Sequence, residues 1–251
     1  MTRSIAFTAL GGFPEIVAGT DLGALIRQSL HAAALEAQAG DALIVAQKIV
    51  SKAEGRDVDL ATVTPTPEAL ELATRVRKDP RFVQLVLDES TQVLRAVPNI
   101  LITRHRAGYV MANAGIDRSN VPGATEQGGR VLLLPLDCDA SAQRLSQALG
   151  GLPVVISDSF GRPWRQGVVN VALGVAGLPA IVDFRGTADR EGRIMQTSQL
   201  ALADAVAAGA GLVMGEGREG TPVVHLRGLD ISAPLTDGRV LLRPLEEDLF
   251  S

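Results

Sequence analysis

Asp158 stands in the segment Ser157-Asp158-Ser159-Phe160-Gly161-Arg162-Pro163-Trp164-Arg165-Gln166-Gly167, directly after the apolar run Pro153-Val154-Val155-Ile156. A carboxylate flanked by hydroxyls at the end of a strand can hold a divalent cation, and the guanidiniums of Arg162 and Arg165 can meet anionic oxygens. A solvated strand-to-helix loop is the competing reading, because loops collect polar residues whatever they do. Three other stretches carry comparable chemistry. Gly108 to Asn120 passes from an apolar strand through Ala112-Asn113-Ala114-Gly115 to Ile116-Asp117-Arg118-Ser119-Asn120. Its small residues admit a ligand to the backbone, and Asp117 could share a metal with another carboxylate. Ser51-Lys52-Ala53-Glu54-Gly55-Arg56 pairs a point charge with a planar fork, a combination suited to phosphate. Gly215-Glu216-Gly217-Arg218-Glu219-Gly220 could cradle phosphate through backbone N–H groups, with Glu216 as a metal ligand. At each of these an ordinary polar turn is the alternative.

The last stretch matches G-x-G-x-x-G by letter, but Thr221-Pro222-Val223-Val224-His225-Leu226 follows it as a strand rather than a helix. That context excludes a Rossmann dinucleotide site, and no G-x-x-x-x-G-K-[ST] is present to make a P-loop. The three carboxylates Asp117, Asp158 and Glu216 suggest Mg2+ or Mn2+, hard cations that prefer oxygen and work with nucleotide phosphates. Physical reasoning from the residues ends at metal-dependent chemistry on a phosphate or nucleotide.

The rest of the chain must position these groups. Its 251 residues, 46% hydrophobic and 21% charged, can bury a substantial core as one large domain or two smaller ones. Aromatics are only 3%, so Ala, Val, Leu and Ile must fill that core. A net charge of -4 argues against nucleic-acid binding driven by overall charge. The single cysteine, Cys138, excludes an internal disulfide and reads as a small buried hydrophobe. No signal-peptide h-region is evident, and Val168 to Val182 is too broken by Asn170, Gly174, Gly177 and Pro179 to span a bilayer. A cytoplasmic protein without a membrane partner is expected.

Strands are expected at Ser4 to Leu10, Ala42 to Val50, Thr91 to Val97, Asn99 to Thr103, Val131 to Leu134, Ala180 to Phe184, Gly211 to Met214, Thr221 to Leu226 and Arg239 to Leu242. Helices are expected from Asp21, from Thr66-Pro67, over Arg81 to Asp88, from a cap at Asp139 to Leu149, and over Gln196 to Ala208. His105 reads as part of a surface basic turn, Trp164 as a packing residue, and Glu246-Glu247-Asp248 as a solvated end. The turn Leu10-Gly11-Gly12-Phe13 could bring backbone N–H groups to a ligand.

Taken in order, several of these motifs closely resemble the coenzyme F420-0:L-glutamate ligase (F420 γ-glutamyl ligase) family. The resemblance is carried by Gly40-Asp41, Ala46-Gln47-Lys48, Ser51 to Arg56, Glu89-Ser90, Ala112 to Asn120, Leu134-Pro135, Asp158 to Arg165, Gly186-Thr187 and Gly215 to Thr221. It spans nearly the whole chain. It implies an α+β, mixed-sheet fold in two interwoven parts, with 1–251 as one ligase unit in an intertwined homodimer. The implied reaction joins L-glutamate to F420-0 by an amide, through an acyl phosphate, at the expense of GTP. Some members add further γ-linked glutamates. The implied ions are Mg2+ or Mn2+, with K+ as a further one.

By the same resemblance, Asp117 and Asp158 are ligands of one metal, and Ser159 and Glu216 of a second. Leu10, Gly11, Gly12, Phe13, Ser51, Lys52, Arg56, Asn120, and Met214, Gly215, Glu216, Gly217, Arg218, Glu219, Gly220 and Thr221 are implied nucleotide contacts. Asp158 and Lys52 are the expected catalytic groups, and Arg162 joins them as a candidate, with Arg165, for holding the anionic acid. The alternatives are another nucleotide-dependent carboxylate–amine ligase and a non-catalytic nucleotide- or deazaflavin-binding module.

Overall fold

The computed structural model describes residues 3–119, 124–125 and 128–248. Five strands form the central sheet: β1 (Ala6–Leu10), β2 (Ala42–Ala46), β9 (Val154–Arg162), β10 (Arg165–Ala176) and β13 (Val223–Arg227). Their order is β1-β13-β2-β9-β10, and only β2 and β9 pair in parallel, so the sheet is mixed as expected. The strands of that pair alternate apolar residues toward both faces, as buried strands must. Leu43, Val45, Val154 and Ile156 meet α1 (Leu22–Ala32), α2 (Gln47–Ala53) and α5 (Cys138–Ala148). Ala42, Ile44 and Val155 meet α6 (Leu202–Met214) on the other side.

The chain between α2 and α5 builds a second core. It contains β3 (Asp57–Asp59), α3 (Pro67–Val76), α4 (Pro80–Asp88), β4 (Ser90–Val97), β5 (Ile100–His105), β6 (Val110–Ala112), β7 (Ala124–Thr125) and β8 (Gly128–Leu132). Leu72, Val76, Phe82, Val86, Leu101, Ile116 and Val131 pack together there, separate from the central-sheet clusters. A two-stranded ribbon of β11 (Ile181–Asp183) and β12 (Gln199–Ala201) precedes α6.

Several local expectations hold. Asp21 caps α1, and Thr66 caps α3 with Pro67 in its first turn. Cys138 is buried. Others are corrected. The strand from Ala42 stops at Ala46, where pairing to Ser157 and Val223 ends, and the chain turns into α2 so that Ile49 and Val50 stay buried. Asp137, not Asp139, caps α5 through the Ala140 N–H. The strand expected at Val131 to Leu134 lies at Gly128–Leu132. The helix expected from Gln196 begins at Leu202, because Gln199–Ala201 pairs with β11. Gly211 to Met214 are its last turn, in which Met214 continues the buried helical face while Leu212 and Val213 are exposed. Gly238–Leu241 is a 3-10 turn capped by Asp237 rather than a strand.

The Asp158 segment is not a strand-to-helix loop. β9 runs through it to Arg162 and returns as β10, with Arg162 opposite Arg165. Trp164 sits in that turn at φ 57° and is 83% exposed rather than packed. His105 is buried at the end of β5, with Nε2 3.4 Å from Glu89. Asp248 is not solvated, because Arg104 holds it at 2.7 Å.

One buried charge cluster ties the sheet to the loop before β2. Asp41, buried, accepts from Arg227 Nε and Nη2 at 3.0 and 2.8 Å and from the Gln38 N–H, and faces His225 Nε2 at 2.9 Å. Burial alone would raise the Asp41 carboxyl, but Arg227, His225 and Gln38 together outweigh it and hold the group at about 2, below its ordinary 3.8. A depressed carboxyl stabilises the fold above its unfolded value, and that stability is lost as pH falls from about 4 to about 2, amounting to about 2 kcal/mol. Asp41→Asn is expected to lose this stability at neutral pH and to flatten its acid dependence, as read by urea melts at stepped pH. An unchanged slope in the variant would refute the assignment.

Candidate active site

β2 ends at Ala46, opposite Ser157 on β9, whereas β9 continues to Arg162. Beyond Ser157, β10 is the one strand paired with β9 among the described residues, so the other edge of Asp158 and Ser159 carries no strand there. Crevices outside the carboxyl ends of parallel strands are the usual ligand sites of such sheets. A cavity of about 440 Å3 lies here, within the range of small-molecule pockets. Its walls are Phe13 to Ile16, Ala46 to Ile49 and Lys52 of α2, Ser157 to Ser159, Asn170, and Met214 to Pro222.

Lys48 and Lys52 are four residues apart on α2, so both ammonium groups reach the same face. Lys52 Nζ pairs with Glu15 at 2.6 Å. Lys48 Nζ reaches Asp117 Oδ2 at 2.7 Å and Ser119 Oγ at 2.8 Å. Asp117 is delivered from the second core, where its backbone bridges Leu132 by two 2.9 Å hydrogen bonds. Burial raises the Asp117 carboxyl, but the Lys48 and Ser119 contacts prevail and lower it. Asp158 forms no ion pair among the described residues. Burial pushes its carboxyl up to about 7, the nearby Asp117 and Glu216 charges add to that, and the Ser159 N–H and Lys48 only partly offset them.

The donor set fits a hard divalent cation. Asp158 feels the charges of Asp117, Glu216 and Lys48, and the buried Ser157 Oγ has no hydrogen-bond partner among the described residues. Among the described residues no three carboxylate, imidazole or thiol groups cluster closely enough to cage one ion. Mg2+ does not require such a cage, since it commonly takes one or two carboxylates and completes its shell with water and substrate phosphate.

The loop after α6 closes the cavity. Gly215 has φ 79° and ψ 169°, a region essentially reserved for glycine. A Cβ there would strike the Glu219 side chain, which accepts from the Gly217 N–H at 2.8 Å. Thr221 Oγ1 donates to the Met214 carbonyl at 2.9 Å and ties the loop's ends.

Of the residues singled out in the sequence, the cavity gathers Phe13, Lys52, Asp158, Ser159 and Met214 to Thr221. Asp117 joins through Lys48. Leu10 is buried in β1, and Gly11 and Gly12 lie just outside the cavity wall. Ser51 is fully buried and donates to Gln47 Oε1 at 2.9 Å. Arg56 instead links the two cores, donating to the Leu134 carbonyl at 2.9 Å and to Glu89 at 3.3 Å. Arg162 and Arg165 lie at the far end of the β9–β10 hairpin, away from the cavity lining. Asn120 and the loop residues 121–123 and 127 fall outside the described residues. Glu15 and Asn170 line the cavity without any local motif to mark them. Lys48 had such a signal, since two of the chain's three lysines fall together at the end of β2.

Residues 12–228 match the family model described as F420-0:Gamma-glutamyl ligase. The chain belongs to this family. It is 43% identical to the coenzyme F420:L-glutamate ligase of Methanothermobacter thermautotrophicus, over 98% of each chain. Identity to the protein of the same name from Natronomonas pharaonis is 48%, covering 96% of this chain and 92% of that one. For the Methanocaldococcus jannaschii protein it is 40% over 84% of each. The cavity residues from Phe13 to Pro222 all lie within the part matched to the family.

Gly215→Ala is expected to cost about 1–3 kcal/mol in urea melts, because no side chain fits its backbone conformation. Faster amide exchange confined to 214–221 should accompany that loss. Unchanged stability and exchange would show that the loop does not depend on this conformation.

Proposed function

We propose that the protein is a GTP-dependent coenzyme F420-0:L-glutamate ligase. One observation carries the reading: in a chain of this family, Lys48, Lys52, Asp158, Ser159 and the Met214 to Thr221 loop surround one cavity, with Asp117 held at its edge by Lys48. The relatives' names supply the acid and the amino acid.

A carboxylate does not acylate an amine without activation. In the proposed sequence a carboxylate oxygen of F420-0 attacks the γ-phosphorus of GTP, GDP departs with the bond electrons, and an acyl phosphate forms. The α-amine of L-glutamate then attacks the acyl carbon, phosphate leaves, and the nitrogen loses a proton. Further γ-linked additions would repeat this on the new terminal glutamate.

Asp117 and Asp158 would hold one Mg2+ or Mn2+, and Ser159 and Glu216 a second. When bound, these ions neutralise phosphate charge and orient the attacking oxygen. Lys52 and Lys48 add fixed positive charge on the α2 side, and the glycines at 215, 217 and 220 let backbone N–H groups approach the phosphates. K+ would serve as a further neutralising cation. Asp158 acts as an ion ligand rather than a general acid, because the acylation itself requires no proton from it. An intertwined homodimer is part of the same proposal.

Incubation with GTP, Mn2+, L-glutamate and F420-0 is expected to yield a product heavier by one or more glutamyl residues, with GDP and phosphate released in step. Glutamate transfer only to a different acid would redirect the reading to another carboxylate–amine ligase. Nucleotide binding without turnover would indicate a binding module. Asp158→Ala is expected to weaken Mn2+ binding in calorimetry and to slow turnover on the order of a hundredfold. Metal affinity and rate equal to the parent protein's would remove Asp158 from the metal site.

A further inference from the structure

A second cavity, of about 390 Å3, opens on the other side of Asp117. Its wall is formed by the turn between α3 and α4, with Arg77, Lys78, Asp79 and Phe82, and by residues from Asn113 to Ser119. Asp117 and Ser119, which line it, are the residues that Lys48 contacts from the main cavity, so the two spaces adjoin at that pair.

The charges in this cavity are unbalanced. Asp79 is already engaged, capping α4 and pairing with Arg81 at 2.6 Å, and Asp117 is taken by Lys48 at 2.7 Å. Arg77, Lys78 and Arg118 form no salt bridge among the described residues. The Arg118 guanidinium lies 4.3 Å from the centre of the Phe82 ring, with Lys78 Nζ at 6.0 Å on the same ring. Stacking of this kind fixes the guanidinium plane and leaves its edge for an anion. The buried Arg118 Nε and Asn113 Oδ1 have no hydrogen-bond partner among the described residues. Burial, with the adjoining Arg118 charge, lowers the Lys78 ammonium below its ordinary range, a load that a bound anion would relieve.

Backbone strain falls on the same walls. Arg77 ends α3 at φ 55°, a position where glycine is the usual residue. Asn113 and Ala114 stand at φ 53° and 52°. Left-handed non-glycine residues cost free energy and persist where the surroundings or a function demand them. Here they present Arg77 and Asn113 to one cavity.

We propose that this cavity is an oxyanion subsite of the ligase site, in which Arg118 and Lys78, assisted by Arg77, hold a carboxylate or phosphate oxygen of one of the two acidic substrates. The inference rests on the ligase reading above. The held group is remote from the reacting atoms, so these three are binding residues that fix how the acid lies against Asp117 and Asp158.

Steady-state kinetics on the full chain test this with Arg118→Gln, Arg118→Lys, Lys78→Gln and Arg77→Gly, each checked by thermal melting. Loss of a charge-assisted contact should raise KM for one acidic substrate about tenfold or more, with kcat falling less than KM rises. Arg118→Lys should restore part of the affinity, which a purely packing role would not allow. A rise confined to F420-0 identifies that acid as the occupant, and a rise confined to L-glutamate identifies the amino acid. If Arg118→Gln does not fold, Lys78→Gln and Arg77→Gly decide, the latter relieving the left-handed strain at its own position. Unchanged KM values for both acids in an active enzyme, or a rise for GTP alone, overturn the subsite and leave the ligase reading intact. A parent protein that neither forms product nor binds either acid in calorimetry overturns both.

Discussion

The parallel pairing of β2 with β9 is the contact on which the site depends. Parallel neighbours need a long crossover, and here that crossover is the entire second core together with α5. The pairing brings the C-terminal end of β2 beside Ser157 of β9, two segments far apart in sequence. From one end the chain turns directly into α2, carrying Lys48 and Lys52, and from the other it continues into Asp158 and Ser159. The apolar contacts of Leu43, Val45, Val154 and Ile156 on one face, and of Ile44 and Val155 on the other, hold that edge in place.

Electrostatics on this frame are deliberately unfinished. Two buried carboxylates elsewhere are paired: Asp41 by Arg227 and His225, Glu89 by Arg56, Arg106 and His105. Around Asp158 the balance differs, because burial and the Asp117 and Glu216 charges are only partly offset by the Ser159 N–H and Lys48. A buried carboxylate without an ion-pair partner is expensive, which is the ground on which a cation is proposed for this site. The loop from Met214 to Thr221 adds Arg218 and a run of glycine backbone to the same cavity.

The second core supplies Asp117, and through Arg56 and Glu89 it is tied to the end of α2. Movement of one core relative to the other would therefore change the distance between Asp117 and Asp158, so the buried ion pairs at this junction help set the site's geometry.

The sequence by itself determined the family, the mixed α+β class and the stretches that bear chemistry, because long motifs in a fixed order survive without coordinates. It also marked helix starts such as Asp21 and Thr66-Pro67, where capping is a local interaction between neighbours. Tertiary structure decided the rest. Ile49-Val50 and Leu212-Val213-Met214 carry strand-forming letters but lie in helices, which bury Ile49, Val50 and Met214 while Leu212 and Val213 stay exposed. Within a phosphate-like motif, Ser51 is buried against Gln47 and Arg56 reaches Leu134 and Glu89, whereas Lys48 faces the cavity. Which side chain of a motif meets the ligand is set by helix phase and by what packs behind it. Asp158 followed the same rule. Its place after an apolar run was legible, but its strand edge is open only because β2 ends at Ala46, a contact more than a hundred residues away in the chain.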